Sequence, residues 1–292
     1  MSSTLRIAAV QTPPLPAGRS LEGFAADIRR ILAADPTIDC LAYPELHLFG
    51  TEGTPEQQDA RLREAAETLD GPLVGGLQQL ARDVGVWLVP GSICERGDDG
   101  DSFYNTVLAI SPEGELVASY RKVFVWRPHE FFDLGDRFVT FDIPGVGRVG
   151  LSNCYDAWFP EVTRHLAWMG ADVVVNVVKT TTSDRPQEMV LAQANSIVNQ
   201  TFTVSVNCAG PVGKGGSLIV GPEGAILEQV VHDEPAVLVQ TIDLAEVARV
   251  RESGTMGTNR MWSQFTMADA PLELPLYDGR IDPERWRIAP LV

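Results

Sequence analysis

The stretch AISPEGELVAS, residues 109–119, decides how the rest of the chain reads. Two β-rich arms flank Pro112-Glu113-Gly114, a turn signal between strand-like runs. The pattern recurs in LIVGPEGAILEQ, residues 218–229. Each reads as a hairpin or tight strand connection, which adds antiparallel pairing to a chain that otherwise alternates strand and helix. Two similar hairpins imply two related sheets. The expected fold class is therefore α/β, a layered α-β-β-α sandwich rather than a plain doubly wound sheet.

Working outward, residues 5–11 read as a first strand, followed by a Pro-rich loop over residues 12–18. From Ser20, a plausible N-cap residue, Leu21, Phe24, Ile28, Ile31 and Leu32 recur at helical spacing. Residues 39–43 form a short apolar run ending at PELH. TPEQ, residues 54–57, is a capping box with proline at the first helical position, and predicts a helix to about Leu69. Leu73, Leu77, Leu80 and Val84 mark another helix, and residues 86–89 another strand. Pro160 opens a helix with Val162, Leu166 and Met169 on one face. No low-complexity linker divides the chain, so residues 1–260 read as one domain. Residues 261–292, with Pro271, Pro275, Pro283 and Pro290, read as an extended tail that must lie on the domain or on a partner subunit.

The 292 residues, 45% of them hydrophobic, can bury a large core. Lys and Arg total 23 against 39 Asp and Glu, a net charge of -16. Phosphate backbones demand clustered cations, so neither nucleic acid nor an anionic membrane is an expected partner. MSSTLRIAAVQ does not read as a signal peptide, and the most apolar run, residues 173–178, is too short to span a bilayer. Cys40, Cys94, Cys154 and Cys208 lie far apart without a CxxC pair. Reduced thiols and a cytoplasmic location are expected.

GLSNCYDAWFPE, residues 150–161, places Cys154 on a turn between a strand and a helix. Free N–H groups at such turns favour negative charge, which suits a nucleophile. Cys40, Cys94 and Cys208 sit among Ile, Leu and Val and read as small buried hydrophobes. A thiol needs a base or a cation. His47, His129, His165 and His232 leave a Cys/His dyad open, but no Cys/His cluster has metal-ligand spacing. Two other residues are better placed. Glu45 ends a strand directly after Pro44, and Lys122 lies in ASYRKVFVWRPHE among Tyr120, Phe124 and Trp126. Either Lys122 or its neighbour Arg121 could be the surface charge.

Glu45 in PELHLFG, Lys122 in YRKVFVW and Cys154 in NCYDAWFPE together resemble the Glu-Lys-Cys triad of the nitrilase superfamily, the carbon–nitrogen hydrolases. Order and spacing agree, with roughly 75 residues from Glu to Lys and roughly 30 from Lys to Cys. The resemblance runs from RIAAVQ to GPEGAILEQ. It implies the nitrilase type of sandwich, a homodimer or higher homo-oligomer, and a carboxylate and an ammonium in place of histidine. By the same resemblance Cys154 is the nucleophile, Glu45 the general base, Lys122 the oxyanion stabiliser, and Tyr155 a contributor of its backbone N–H. No metal or organic cofactor is implied.

WRPHEFFDLGD, residues 126–136, resembles a stretch of short-chain amidases and formamidases, which implies that Glu130 is a second carboxylate in the pocket. CYDAWFPE resembles carbamoyl-amide hydrolases, and Asp156 stands where nitrilases proper resemble Glu. Phe124-Val125 and Thr51 depart from the commoner family residues, and Trp158 and Phe159 are candidate pocket walls. The expected activity is hydrolysis of a small aliphatic amide through a cysteine thioester. The alternatives are an N-carbamoyl hydrolase, a nitrile hydrolase, or a binding member of the fold without turnover.

Overall fold

The computed structural model describes residues 3–18, 20–274 and 279. The first half of the chain runs β1 (Thr4–Gln11), α1 (Glu22–Ala34), β2 (Cys40–Ala42), α2 (Pro55–Glu64), α3 (Pro72–Val84), β3 (Trp87–Val89), β4 (Ser92–Arg96), β5 (Phe103–Ile110) and β6 (Leu116–Arg121). It continues through β7 (Thr140–Ile143), β8 (Gly147–Asn153), α4 (Pro160–Trp168), β9 (Val173–Val178), α5 (Arg185–Asn199) and β10 (Phe202–Asn207). The last elements are β11 (Leu218–Val220), β12 (Ile226–Gln229), β13 (Ala236–Asp243) and α6 (Ala245–Ser253).

Two sheets result. One has seven strands in the order β13-β1-β2-β3-β5-β4, with β6 added to β5; the other has six, in the order β12-β11-β10-β9-β8-β7. Each expected hairpin falls in a different sheet: β5 and β6 pair antiparallel around Pro112-Glu113-Gly114, and β11 pairs β12 in the same way. The parallel pairs β1–β2, β2–β3, β8–β9 and β9–β10 need the helical crossovers between them.

Alternation along the strands explains the layers. Leu5, Ile7 and Ala9 of β1 meet Val173, Val175 and Val177 of β9 between the sheets. Ala8 and Val10 point the other way, onto Phe24 and Ile28 of α1 and Leu77 of α3. Val174 packs on Val162 and Leu166 of α4, and Leu218 and Val220 pack near Ala192 of α5. Strands covered on both faces read as unbroken apolar runs, and all six residues of β9 are buried. Each such side chain contributes about 1.5–3 kcal/mol by leaving water. The architecture is the α-β-β-α sandwich expected from the sequence.

Several local readings differ. Leu21, not Ser20, holds the N-cap of α1, without a side-chain bond. The capping box of Thr54 and Gln57 is present, but α2 stops at Glu64. Beyond it the backbone turns to β4, where Glu67 N donates to Cys94 O and Arg96 N donates to Glu67 O. Met169 closes α4 as its C-cap and is more exposed than Val162 and Leu166. β4, β13 and α6 were not legible. β13 pairs along the whole of β1, from Thr4↔Asp243 to Gln11↔Ala236, a partner from the far end of the chain. In the expected tail, Phe265, Met267, Leu272 and Leu274 are exposed; Pro275, Pro283 and Pro290 lie outside the described residues.

Candidate active site

Glu45 follows β2 and is held by the backbone around it. Gly91 lies at φ +90, and a Cβ there would stand 1.9 Å from Pro44 O, so only glycine lets the two loops pass. Leu46 adopts φ 49, and its N–H donates to Ser92 Oγ at 2.9 Å. Glu45 is thereby buried at the carboxyl end of its strand. Its Oε1 accepts from Asn105 Nδ2 at 2.8 Å and from Lys122 Nζ at 3.0 Å.

Strand alternation separates Arg121 from Lys122. Arg121 turns outward to Glu95, Nη2 to Oε1 at 2.5 Å, and over the Tyr104 ring at 3.8 Å. Lys122 turns inward and is fully buried. Its Nζ donates to Oε1 and Oε2 of Glu130 at 2.8 and 2.9 Å. Trp126 N fixes Glu130 by donating to Oε2 at 2.9 Å. Burial by itself would lower the Lys122 pKa, but Glu130 and then Glu45 outweigh it and hold the pKa well above the ordinary value. Lys122 is a fixed ammonium between two carboxylates.

Cys154 opens a single 3-10 turn (Cys154–Trp158) and adopts φ 52, a left-handed conformation that costs a non-glycine residue about 1–3 kcal/mol. Asp156, fully buried, holds the turn. It accepts from Asn153 N at 3.0 Å, Tyr120 OH at 2.8 Å and Phe124 N at 2.9 Å. Asn153 Nδ2 then donates to Asn105 Oδ1 at 2.8 Å, so the residue before the cysteine is tied through Asn105 to Glu45.

Burial, then the charge of Glu45, raises the Cys154 thiol well above its ordinary pKa; Lys122 opposes this without reversing it. The sequence reading has the thiol ionising beside Lys122. Burial and Glu45 oppose that ionisation, and Lys122, already shared by two carboxylates, does not reverse it. Among the carboxylates around the thiol, Glu45 has the largest influence on it.

A cavity of about 520 Å³ opens onto Glu45, Glu130, Cys154 and Tyr155. Trp158 and Phe159, read from the sequence as candidate walls, do not line it. Phe159 stacks on Phe124 with ring centroids 3.7 Å apart and meets the Tyr155 ring edge-on at 5.2 Å. Trp158 lies 6.3 Å from the Tyr155 ring centre, so both sit behind Tyr155 rather than in front of it. Among the histidines, His129 reaches the cavity wall. His47 is buried against Tyr43, and burial lowers its pKa to about 4. His165 bonds Glu161 O on α4. Among the described residues no histidine is hydrogen-bonded to Cys154, and no group of three or more metal-ligating side chains comes together. Among the described residues no helix is long and apolar enough to cross a membrane.

The sequence reading missed Asn105, which joins Asn153 to Glu45, and the cavity-lining residues Lys179, Thr180 and Glu188. The signal for Asn105 was an amide side chain inside the largely apolar run FYNTVLAI. Asp156 was noticed, but as a mark of substrate type; it faces away from the cavity as the brace of the turn. Its carboxyl is pushed up to about 6 by burial from an ordinary 3.8. The folded state therefore keeps this proton to higher pH than the unfolded chain does. The stability linked to it is present below pH 3.8 and lost as pH rises through 6, on the order of 3 kcal/mol. Asp156→Asn, which does not titrate, is expected to flatten the fall in unfolding free energy between pH 4 and 7 measured by urea denaturation. An unchanged slope would contradict this account.

The family profile of the carbon-nitrogen hydrolases matches residues 6–252, and the chain belongs to that family. Among relatives, a formamidase of Bacillus thuringiensis (strain Al Hakam) is 31% identical over 205 residues, covering 68% of this chain and 60% of its own. A formamidase of Bacillus cereus (strain Q1) is 30% identical over 212 residues, covering 70% and 62%. This chain thus spans about three fifths of the relatives' length. Among solved structures, Nit3 of Saccharomyces cerevisiae superposes with a TM-score of 0.76 at 23% identity, over 88% of this chain and 97% of that one. A variant of the amidase from Nesterenkonia sp. AN1, with acrylamide added at its active-site cysteine, gives 0.71 at 29% identity over 84% and 98%.

Proposed function

We propose that this protein is a thiol amidohydrolase that cleaves the C–N bond of a small aliphatic amide. The observation that carries this reading is the Lys122 ammonium, pinned between Glu45 and Glu130 beside a cavity into which a left-handed turn presents Cys154. As Sγ attacks the amide carbonyl carbon, the thiol proton passes to Glu45. This keeps the buried cluster from gaining a second net negative charge. The carbonyl oxygen becomes an oxyanion, met by Lys122 Nζ and the Tyr155 N–H. Collapse breaks the C–N bond, and Glu45 gives its proton to the departing nitrogen, leaving a Cys154 thioester. Glu45 next takes a proton from water as the hydroxide attacks the thioester. The C–S bond breaks, Glu45 returns that proton to sulfur, and the acid product loses its own proton to solvent as a carboxylate.

The amide reading over the nitrile reading rests on the WRPHE stretch and on the likeness to formamidases and an amidase. Ammonia release across a panel of amides, ureido acids and matched nitriles tests it; faster release from a nitrile than from its own amide would overturn it. We expect a homodimer or larger assembly in the cytoplasm, which sedimentation and cell fractionation check.

Alkylation tests the nucleophile. Cys40 and Cys208 are buried, with pKa values pushed by burial to about 12, and Cys94 is pushed up likewise. Cys154 alone of the four is partly exposed. Iodoacetamide on the folded protein is expected to place its first label on Cys154, faster at higher pH and slower with substrate present. Activity should fall in step. Full activity after complete modification of Cys154 would remove it from the mechanism.

A further inference from the structure

Glu188, in the first turn of α5, is used by no step above. It is buried, yet it lines the same cavity as Cys154. One of its oxygens is fully engaged: Oε2 accepts from Thr180 Oγ1 at 2.5 Å and from Arg185 Nη1 at 3.0 Å. Arg185 is itself locked, donating to Gly215 O at 3.1 Å, Gly216 O at 3.0 Å and Ser205 Oγ at 3.1 Å. Thr180 is held by its own N–H, which donates to Asn207 Oδ1 at 2.9 Å. Among the described residues nothing donates to Oε1 of Glu188. A carboxylate fixed by one oxygen has one direction left for the other, and here that oxygen belongs to a cavity wall.

The acceptor is also close to the chemistry. The charge of Glu188 raises the Cys154 thiol more than that of Glu130 does, although Glu130 lies directly on Lys122. Once a bound substrate displaces water from the cavity, a carboxylate oxygen left without a donor is costly, and a substrate that brings an N–H relieves that cost. Primary amides and ureido groups bring N–H; nitriles and esters bring none.

We propose that Glu188 Oε1 is a specificity-determining acceptor that binds an N–H of the substrate's amide or carbamoyl group, and that this contact selects amides over isosteric acyl compounds without N–H. The proposal rests on the amidohydrolase reading. It supplies a physical reason for that preference, because a site built to bond a donor rejects the analogue lacking it far more strongly than a merely apolar pocket does.

Glu188→Gln is the informative change. Arg185 and Thr180 hold the Gln oxygen where Oε2 was, so the amide NH2 faces the cavity and an acceptor becomes a donor. For a primary amide and the methyl ester of the same acid, which share one acyl-enzyme, kcat/KM for the amide is expected to fall roughly 100-fold. The ester, which brings no N–H, should keep or gain kcat/KM, because removing the Glu188 charge eases ionisation of Cys154 for both substrates alike. The amide-to-ester ratio is therefore what the contact moves. Thr180→Val, which loosens the same oxygen, should give a smaller loss with the same selectivity, and it serves if the Gln variant does not fold. A parallel loss for amide and ester would show that Glu188 only supports the wall, and no loss for either would show that it reads nothing. Both results overturn the proposal. Binding of the same amide and of the matching methyl ketone to Cys154→Ala, with and without Glu188→Gln, tests the contact without turnover. If the unmodified protein hydrolyses neither substrate, the amidohydrolase reading fails, while selective weakening of amide binding would still support the contact and equal weakening would still refute it.

Discussion

Glu45→Gln is expected to lower kcat for a small primary amide by roughly 10²–10⁴, the usual worth of a general base. The substitution keeps Oε1, and with it the bonds from Asn105 Nδ2 and Lys122 Nζ, so the frame around the cluster survives. What is lost is the ability to take the thiol proton and later a proton from water. Mass spectrometry should find either unacylated protein, if the first half-reaction is blocked, or a trapped acyl-enzyme, if the second is. After burial, Glu45 is the largest influence raising the Cys154 thiol. Removing its charge should ease ionisation, so iodoacetamide should label Cys154 faster in the variant even as amide turnover collapses. Near-normal kcat at neutral pH, or slower labelling, would remove Glu45 from this role.

Lys122→Met is expected to abolish amide turnover and also to destabilise the fold by about 3–5 kcal/mol, the range found when one partner of a buried ion pair is removed. The ammonium is fully buried and lies 3.0 Å from Glu45 and 2.8 Å from Glu130. Without it, the buried carboxylate of Glu45 and the partly buried one of Glu130 face each other with no counter-charge. Adding Glu130→Gln should restore part of the stability, since one of the two charges is gone. The double variant should therefore be more stable than the sum of the single changes indicates. It should not regain activity, because the oxyanion has still lost its cation. Urea denaturation with the two single variants and the double one checks this. A Lys122→Met protein as stable as the unmodified one would mean that the carboxylates are not held as the geometry describes.

The legible parts of this protein share one property: each is a local pattern. The hairpins around Pro112-Glu113-Gly114 and in residues 218–229 announced two sheets, because turn residues and β-rich arms act over a few positions. The capping box at Thr54 and the helix after Pro72 were readable for the same reason. Glu45, Lys122, Glu130 and Cys154 could be named because each sits in a recognisable stretch of chain, although nothing in those stretches says how far apart they lie. α2 was read too long because the bonds of Glu67 to β4 come from another part of the chain. β13 was invisible because its reason for being a strand is β1, its partner from the other end of the sequence.

The sequence by itself determined the layered α/β class, the family, and the identity of four ionisable groups in one site. Only the tertiary structure decided their surroundings: that Lys122 is shared by two carboxylates, that burial and Glu45 raise the Cys154 thiol, and that Asp156 braces a turn instead of facing the cavity. It also turned Trp158 and Phe159 away from the cavity and brought Glu188, pinned by Arg185, into its wall. The physical reason is range. Turn and periodicity signals act between neighbours in sequence, whereas desolvation and Coulomb interaction act between neighbours in space, and the latter fix what each charged group does.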